Sequence, residues 1–290
     1  MSGVWSQIVD FSDYGALLVL LKNSVIAGAV LGVVGGLIGV FVMSRDMAFA
    51  VHGISELSFA GASAGLLLGV GVVQGSIVGS LVAALLIGVL GSRARDRNSI
   101  IAVLMPFGLG VGILCLTLYP GRSANKFGLL TGQIVAVDDP QLGSLIGLSA
   151  VVLVGLLLIW RPLTFASVDA DVAAARGIPT RGLSVVFMLL LGLTVAVSVQ
   201  IVGSLLVLAI LVTPAAAALR ISASPVVVPV LSVVFAVGSL VGGILLALGS
   251  AIPISPFVTT ISFVIYVVCR LTGRNGVRTR RSRLAVGTAR

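Results

Sequence analysis

Residues 22–43 read KNSVIAGAVLGVVGGLIGVFVM and carry a single charge, on Lys22. An α-helix needs about 20 consecutive apolar residues to cross the hydrocarbon core of a bilayer. This stretch is therefore predicted to be a membrane-spanning helix. The same pattern recurs along the chain, at 54–73, 75–92, 99–119, 142–160, 182–199, 202–219, 226–248 and 255–271.

These runs predict an all-α integral membrane protein, a bundle of about nine transmembrane helices. Only a very short connection near Gln200 separates the spans 182–199 and 202–219, so a bundle of eight remains open. We expect one transmembrane domain over 1–271 and a basic cytoplasmic tail over 272–290 that is disordered.

The composition supports this class. Of the 290 residues, 58% are hydrophobic and only 9% are charged, whereas a soluble domain carries about a quarter charged residues. The net charge of +9 comes from basic residues between the apolar runs and in the tail. That distribution is typical of membrane topology and argues against nucleic acid as a partner.

The basic residues also orient the bundle. Every odd-numbered span is followed by a basic segment: Arg45, Arg93–Arg97, Arg161–Arg181, Arg220 and the C-terminal tail. The acids Asp10 and Asp13 precede the first span. Since cytoplasmic loops are enriched in Lys and Arg, we expect the N-terminus outside the cell and the C-terminus in the cytoplasm.

Glycine recurs every four residues in several spans, as in the series Gly28, Gly32, Gly36 and Gly61, Gly65, Gly69. Small residues at this spacing let helix backbones approach closely in lipid. The pattern predicts a compact bundle and says nothing about its function.

The segment AVHGISELSFAGASAG, residues 50–65, contains the candidate functional side chains. His52 and Glu56 are the only histidine and the only glutamate of the chain. Four residues apart on a helix, they share one face, which Ser55 and Ser63 extend as a polar stripe. Ionisable residues at membrane depth usually face a cavity, a pathway or a partner.

Three roles fit this pair. One imidazole and one carboxylate are a half-site for zinc, manganese or iron. The same two groups could form a hydrogen-bonded pair that fixes helix packing, or they could transfer protons. Composition alone leaves all three open.

A second candidate element lies in the loop 161–181, where SVDADVAAARGIP has the pattern of a short capped helix. Ser167 is the candidate N-cap, and the acids Asp169 and Asp171 lie in the first turn, where the helix dipole favours them. Arg176 closes the helix, and Gly177 ends it. Such a helix could dock on another protein or lie on the membrane surface.

The chain does not provide for its own ATPase. A phosphate-binding loop requires Gly-Lys followed by Ser or Thr, and neither Lys22 nor Lys126 has that context. The lone histidine also leaves no catalytic triad to assemble. We therefore expect a transport subunit, not an enzyme, without a permanently bound cofactor.

Four stretches resemble the permease subunits of zinc and manganese ABC importers, in the same order and over nearly the whole chain. They are GVFVMSRDMAFAVHGISELSFAGASAG, RDRNSIIAVLMPFGLGVG, WRPLTFASVDADVAAARGIPTRGL and QIVGSLLVLAILVTPAAAALR. The family typically reads Gly-Asp-Ala-Leu-Ser-His at residues 51–56, where the aspartate and histidine are linked to metal passage. Here His52 and Glu56 stand at those positions, so the ligand types are kept at the same spacing in reversed order.

The resemblance implies a plasma-membrane complex that imports a divalent metal ion, zinc or manganese. Two permease chains, most simply a homodimer, would pair around the path. Cytoplasmic ATPase subunits would contact the helix around Asp169, Asp171, Arg176 and Gly177, and an extracellular metal-binding protein would deliver the ion. The alternatives are an ATP-independent secondary transporter with a His52/Glu56 proton relay, or an ABC permease for metal chelates.

Overall fold

The computed structural model describes residues 21–91, 94–120, 137–204, 206–248 and 254–287, with side chains described except at 94–96 and 274–287. In this part of the chain all regular structure is helical. The helices are α1 (Lys22–Ser44), α2 (Ala48–Leu68), α3 (Val72–Leu90), α4 (Ala94–Leu118), α5 (Asp139–Val168), α6 (Ala170–Ala175), α7 (Thr180–Val202), α8 (Val207–Leu211), α9 (Thr213–Ile221), α10 (Val227–Ala247) and α11 (Ile254–Gly287).

Eight helices of the described residues are long and apolar enough to cross a membrane, namely α1–α5, α7, α10 and the Ile254–Gly273 part of α11. The prediction of an all-α membrane bundle is therefore confirmed. The last helix extends into the segment 272–290, and the boundary between domain and tail stays a prediction. Asp10, Asp13 and Arg93 lie outside the described residues.

The seventh candidate span, 202–219, differs from its prediction. Helix α7 continues through Gln200 to Val202, and the chain turns at Gly203, whose φ of +84° is accessible mainly to glycine. The apolar run after it is divided into α8 and α9. Only Val212, which keeps a helical conformation, separates α8 from α9, and Pro214 lies in the first turn of α9, so the proline lies beside a local break in the helical segment Val207–Ile221.

Glycines determine which helices approach most closely. In α2, Gly61 and Gly65 face the backbone of α3 at Gly75 and Gly71, and a Cβ at Gly61 would collide with the Gly75 carbonyl oxygen. On another side of α2, Gly108 of α4 lies against the backbone of Glu56 and Leu57. The predicted small-residue packing thus holds α2 between α3 and α4.

Contacts between α1 and its neighbours define the two ends of the bundle. At one end, the Asn23 amide donates to a carboxylate oxygen of Asp139, at the start of α5, over 2.7 Å. At the other end, Arg45 follows α1 and donates to Ser184 Oγ, near the start of α7, over 3.3 Å. We call the second the basic end, because Arg45, Arg97, Arg176, Arg181 and Arg220 lie in the segments that meet there.

The crossings α8–α9 and α10 complete this arrangement. Gly36 and Gly28 of α1 pack against Val233 and Ile244 of α10, so the two helices run antiparallel. Gly273 of α11 then packs against the backbone of Arg220, at the end of α9. The start of α1 and the end of the last membrane span therefore lie at opposite ends of the bundle.

Candidate metal pathway and coupling helix

The turn before α2 places His52 and Glu56 in a helix. Asp46 adopts a left-handed conformation with φ of 53°, and the Met47 N–H donates to the Val42 carbonyl over 2.8 Å. Helix α2 consequently begins at Ala48, six residues before the predicted start of the span. His52 therefore lies in the second turn of α2.

His52 and Glu56 face each other along the helix. The distance from His52 Nε2 to Glu56 Oε1 is 3.9 Å. The Glu56 side chain is 6% exposed and that of His52 is 29% exposed. The carboxylate of Glu56 is thus enclosed by the protein, whereas the imidazole of His52 is partly accessible from outside.

Each of the two side chains retains an unused polar atom. His52 Nδ1 and Glu56 Oε2 are buried and have no hydrogen-bond partner among the described residues. A buried carboxylate without a partner is costly at membrane depth. Both atoms are candidate ligands of a divalent cation, because neutral imidazole and carboxylate commonly bind zinc and manganese.

One copy of the pair is not a complete metal centre. In the described part of the chain, no group of three or more His, Cys, Asp or Glu side chains could hold a metal ion. Further ligands would have to be carbonyl or hydroxyl oxygens, water, or groups of a second chain. This suits transient contact with a transported ion better than permanent binding.

The two serines of the predicted stripe behave differently. Ser55 is buried and donates to the Ser204 carbonyl over 3.1 Å, which joins α2 to the turn after α7. Ser63 donates to the Phe59 carbonyl of its own helix over 2.8 Å. Only Ser55 therefore connects the stripe to another element.

Sequence reasoning missed two polar residues on the other side of this junction. Gln200 Nε2 and Ser204 Oγ are buried without a hydrogen-bond partner in the part of the chain that the structure describes. The available signal was an amide and a hydroxyl four residues apart within an apolar run. The sequence predicts a short connection near Gln200, whereas this residue lies in the last turn of α7.

A second network joins the helices next to the pair. Ser58 Oγ and Ser76 Oγ are 2.7 Å apart, and Ser76 Oγ donates to the Ala196 carbonyl over 3.2 Å. These hydroxyls link α2, α3 and α7 below the surface. Their hydrogen bonds are satisfied, so we assign them to packing.

The predicted helix at the basic end is present as α6, but its N-cap is Asp169, not Ser167. Asp169 Oδ1 accepts from the N–H groups of Asp171 and Val172 at 3.0 and 2.9 Å. Ser167 instead donates to the Leu163 carbonyl of α5 over 2.6 Å, because α5 continues to Val168. Asp171 lies in the first turn, as predicted.

The end of α6 also follows the sequence prediction. Arg176 is the C-cap residue, and its guanidinium carbon lies 5.8 Å from the centre of the Phe165 ring. Gly177 has a φ of +83° and begins the return toward α7. Ala173 is fully buried while Asp171 and Val172 are exposed, so α6 is anchored on one side and free on the other.

The chain is similar to known membrane transport proteins. The manganese transport system membrane protein MntC of Halalkalibacterium halodurans is 30% identical over 240 residues, which cover 82% of each chain. The high-affinity zinc uptake system membrane protein ZnuB of Haemophilus influenzae is 25% identical, over 79% of this chain and 88% of that protein.

A solved structure has the same fold. PsaBC from Streptococcus pneumoniae, in complex with Fab, superposes with a TM-score of 0.80 at 26% identity, covering 90% of this chain and 95% of the matched chain. Residues 18–273 match the ABC 3 transport family, ABC-3. The chain is therefore a multi-pass membrane protein that belongs to the ABC 3 transport family.

Proposed function

We propose that this chain is the permease subunit of an ATP-binding-cassette importer that carries manganese or zinc into the cell. The observation that carries the proposal is the pair His52 and Glu56, each of which has a buried ligand atom without a hydrogen-bond partner among the described residues. The pair lies in a chain that belongs to a family of transport proteins. Relatives named for manganese and for zinc transport support the class of cargo.

In this mechanism, the cation exchanges part of its hydration shell for His52 Nδ1 or Nε2 and the Glu56 carboxylate. Two protein ligands hold it weakly enough to leave. Ser55 connects α2 to the turn at Ser204, so a shift of α8 would reach the helix that carries the pair. The buried Ser204 hydroxyl, which has no partner among the described residues, is available as an additional oxygen contact.

The energy would come from separate subunits. Neither lysine of the chain fits a phosphate-binding loop, so cytoplasmic ATPases would drive the cycle and the chain itself would have no catalytic activity. The exposed face of α6, with Asp171 and Val172 on a helix capped by Asp169, is the proposed contact for them. An extracellular metal-binding protein would deliver the ion.

A second copy of the chain would complete the path. One pair offers two ligands, and two pairs related by a two-fold axis would offer two imidazoles and two carboxylates. We propose a homodimer in the plasma membrane, with the N-terminus outside and the basic end in the cytoplasm, as the positive-inside rule requires.

The test is uptake of radioactive manganese and zinc in cells without their own importers. The cells would express the chain with its ATPase and binding protein. We expect His52→Ala and Glu56→Ala each to lower uptake by about tenfold or more, as is usual for lost metal contacts. The exchanged variant His52→Asp/Glu56→His keeps both ligand types in the family's usual order and should retain most of the uptake.

Thr194→Ala is the matched control. Thr194 is a buried hydroxyl that bonds only within α7, to the Leu190 carbonyl, so its loss should leave uptake unchanged. Uptake that persists in the double alanine variant would assign the pair to structure. ATP-independent uptake coupled to protons would favour a secondary transporter, and transport of a chelate without free metal would favour a chelate permease.

A further inference from the structure

A cavity of about 410 Å³ opens at the basic end, away from the metal pathway. It lies between the last residues of α3 and the first residues of α7, with Ala170 of α6 on its wall. Arg45, Arg97 and Arg181 line it, and none of its lining residues is acidic. Three guanidinium groups around one space form a strongly positive site.

Arg45 is held in place with part of its hydrogen-bonding capacity unused. Its Nη2 donates to Ser184 Oγ over 3.3 Å, and its guanidinium carbon lies 5.7 Å from the centre of the Phe187 ring. Its Nε and Nη1 are buried and have no acceptor among the described residues. The side chain is therefore held in place, and two of its three nitrogen atoms lack an acceptor among the described residues.

Arg97, which also lines the cavity, likewise has a nitrogen atom without an acceptor in the segments that the structure describes. Its Nη2 donates to the main-chain carbonyl of Asp46 over 3.2 Å, and its buried Nε has no acceptor in the described part of the chain. Burial, and then the charge of Arg97, lower the pKa of Arg45. Among the described residues, no carboxylate lies within 4.0 Å of either guanidinium. In the described part of the chain, the two like charges therefore have no counter-charge.

A positive cavity of this kind would bind an anion, and its position indicates which class of anion. It lies where the spans α3 and α7 reach the membrane surface, which is the level of the lipid headgroups. Val89 lines the cavity and is 61% exposed, and Val78, Val82 and Leu85 continue this apolar face along α3. A molecule with a phosphate in the cavity could therefore lay hydrocarbon chains along α3.

We propose that this cavity binds the phosphodiester headgroup of an anionic phospholipid of the cytoplasmic leaflet. Arg45 and Arg97 donate to the phosphate oxygens, for which the planar guanidinium is well suited. Arg181, which is exposed, lies at the rim. Basic pockets between membrane helices recognise lipid headgroups in this way. The site depends on the membrane placement of the chain and not on the metal pathway.

The experiment measures lipids retained by the purified full-length chain in native mass spectrometry. The chain would be titrated with phosphatidylglycerol or phosphatidylcholine in mixed micelles. We expect a clear preference for phosphatidylglycerol, weakened about tenfold by Arg45→Gln and by Arg97→Gln. Arg97→Lys, which keeps the charge and loses the planar donor set, should be intermediate. If Arg45→Gln does not fold, the two Arg97 variants carry the test.

Arg161→Gln is the matched control, because Arg161 is exposed on α5 and does not line the cavity. An equal loss in Arg161→Gln, or equal binding of the two lipids, would overturn the proposal. Displacement of phosphatidylglycerol by millimolar inorganic phosphate would assign the site to a free anion. Loss of ATPase assembly in the Arg97 variants without any change in lipid binding would assign it to a carboxylate of that partner.

Discussion

At the residue scale, the side chain of Asp169 determines where α6 begins. Its Oδ1 accepts two backbone N–H groups of the first turn. A helix of six residues has too few internal hydrogen bonds to be stable alone. The cap and the burial of Ala173 therefore decide whether α6 exists as a defined surface.

Replacing Asp169 tests whether this surface transmits motion from the ATPase. Asp169→Ala removes the cap, at a cost of about 1 kcal/mol, and should reduce both ATPase co-purification and metal uptake. Asp169→Asn keeps an oxygen acceptor and removes only the charge, so it should behave nearly as wild type. Full coupling in Asp169→Ala would exclude α6 as the transmitting element.

At the element scale, α2 is the most constrained helix of the described bundle. Glycines bring α3 and α4 onto its backbone from two sides, and its hydroxyls bond to α3 and to the turn after α7. The candidate ligands are thus carried by a helix that cannot shift alone. A displacement of α2 would have to move its neighbours with it.

Gly61 tests the packing of this helix. Gly61→Ala places a methyl group against the Gly75 carbonyl, and such overpacking costs about 1–3 kcal/mol. We expect a lower melting temperature of the purified chain in detergent. Gly147→Ala in α5, with nothing within 4 Å of the added carbon, should melt at or slightly above the wild-type temperature. Equal melting of the two variants would contradict the close contact of α2 and α3.

The sequence identified eight of the crossings because each is long and uniformly apolar. It placed the capped helix correctly within about two residues, since Asp, Arg and Gly mark helix ends locally. At 202–219 the sequence predicted one continuous span, whereas the crossing there is divided into α8 and α9, because Gly203 and Pro214 interrupt the helix while the composition stays apolar. The hydrogen-bond partner of Ser55 and the burial of Gln200 could not be predicted, because both depend on tertiary contacts.

At the scale of the whole molecule, the described part of the chain crosses from one end of the bundle to the other an odd number of times. Eight long helices alone would place the start of α1 and the end of the last span on one side. The broken crossing α8–α9 supplies the remaining passage, because α7 and α10 both run away from the basic end. The topology predicted from the arginines is therefore compatible with a bundle of eight long helices.

Cysteine labelling measures this orientation directly. In a chain whose Cys115 and Cys269 are replaced by alanine, the variants Asp138→Cys and Asp171→Cys introduce one exposed thiol at each end. A membrane-impermeant maleimide should label Asp138→Cys on intact cells and Asp171→Cys only after permeabilisation. The reverse order would invert the bundle and place α6 outside the cell.

The broken crossing also alters the dielectric barrier beside the candidate ligands. At 1.5 Å per residue, the segment Val207–Ile221, which contains α8 and α9, reaches only about 22 Å, whereas the hydrocarbon core is about 30 Å thick. Non-helical backbone at Gly203 and Ser204 occupies part of the remaining depth, with the Ser204 carbonyl against Ser55. In the proposed pathway, a cation that lost water at Ser55 would meet oriented peptide dipoles there, and its loss of solvation energy would be smaller than among hydrocarbon chains.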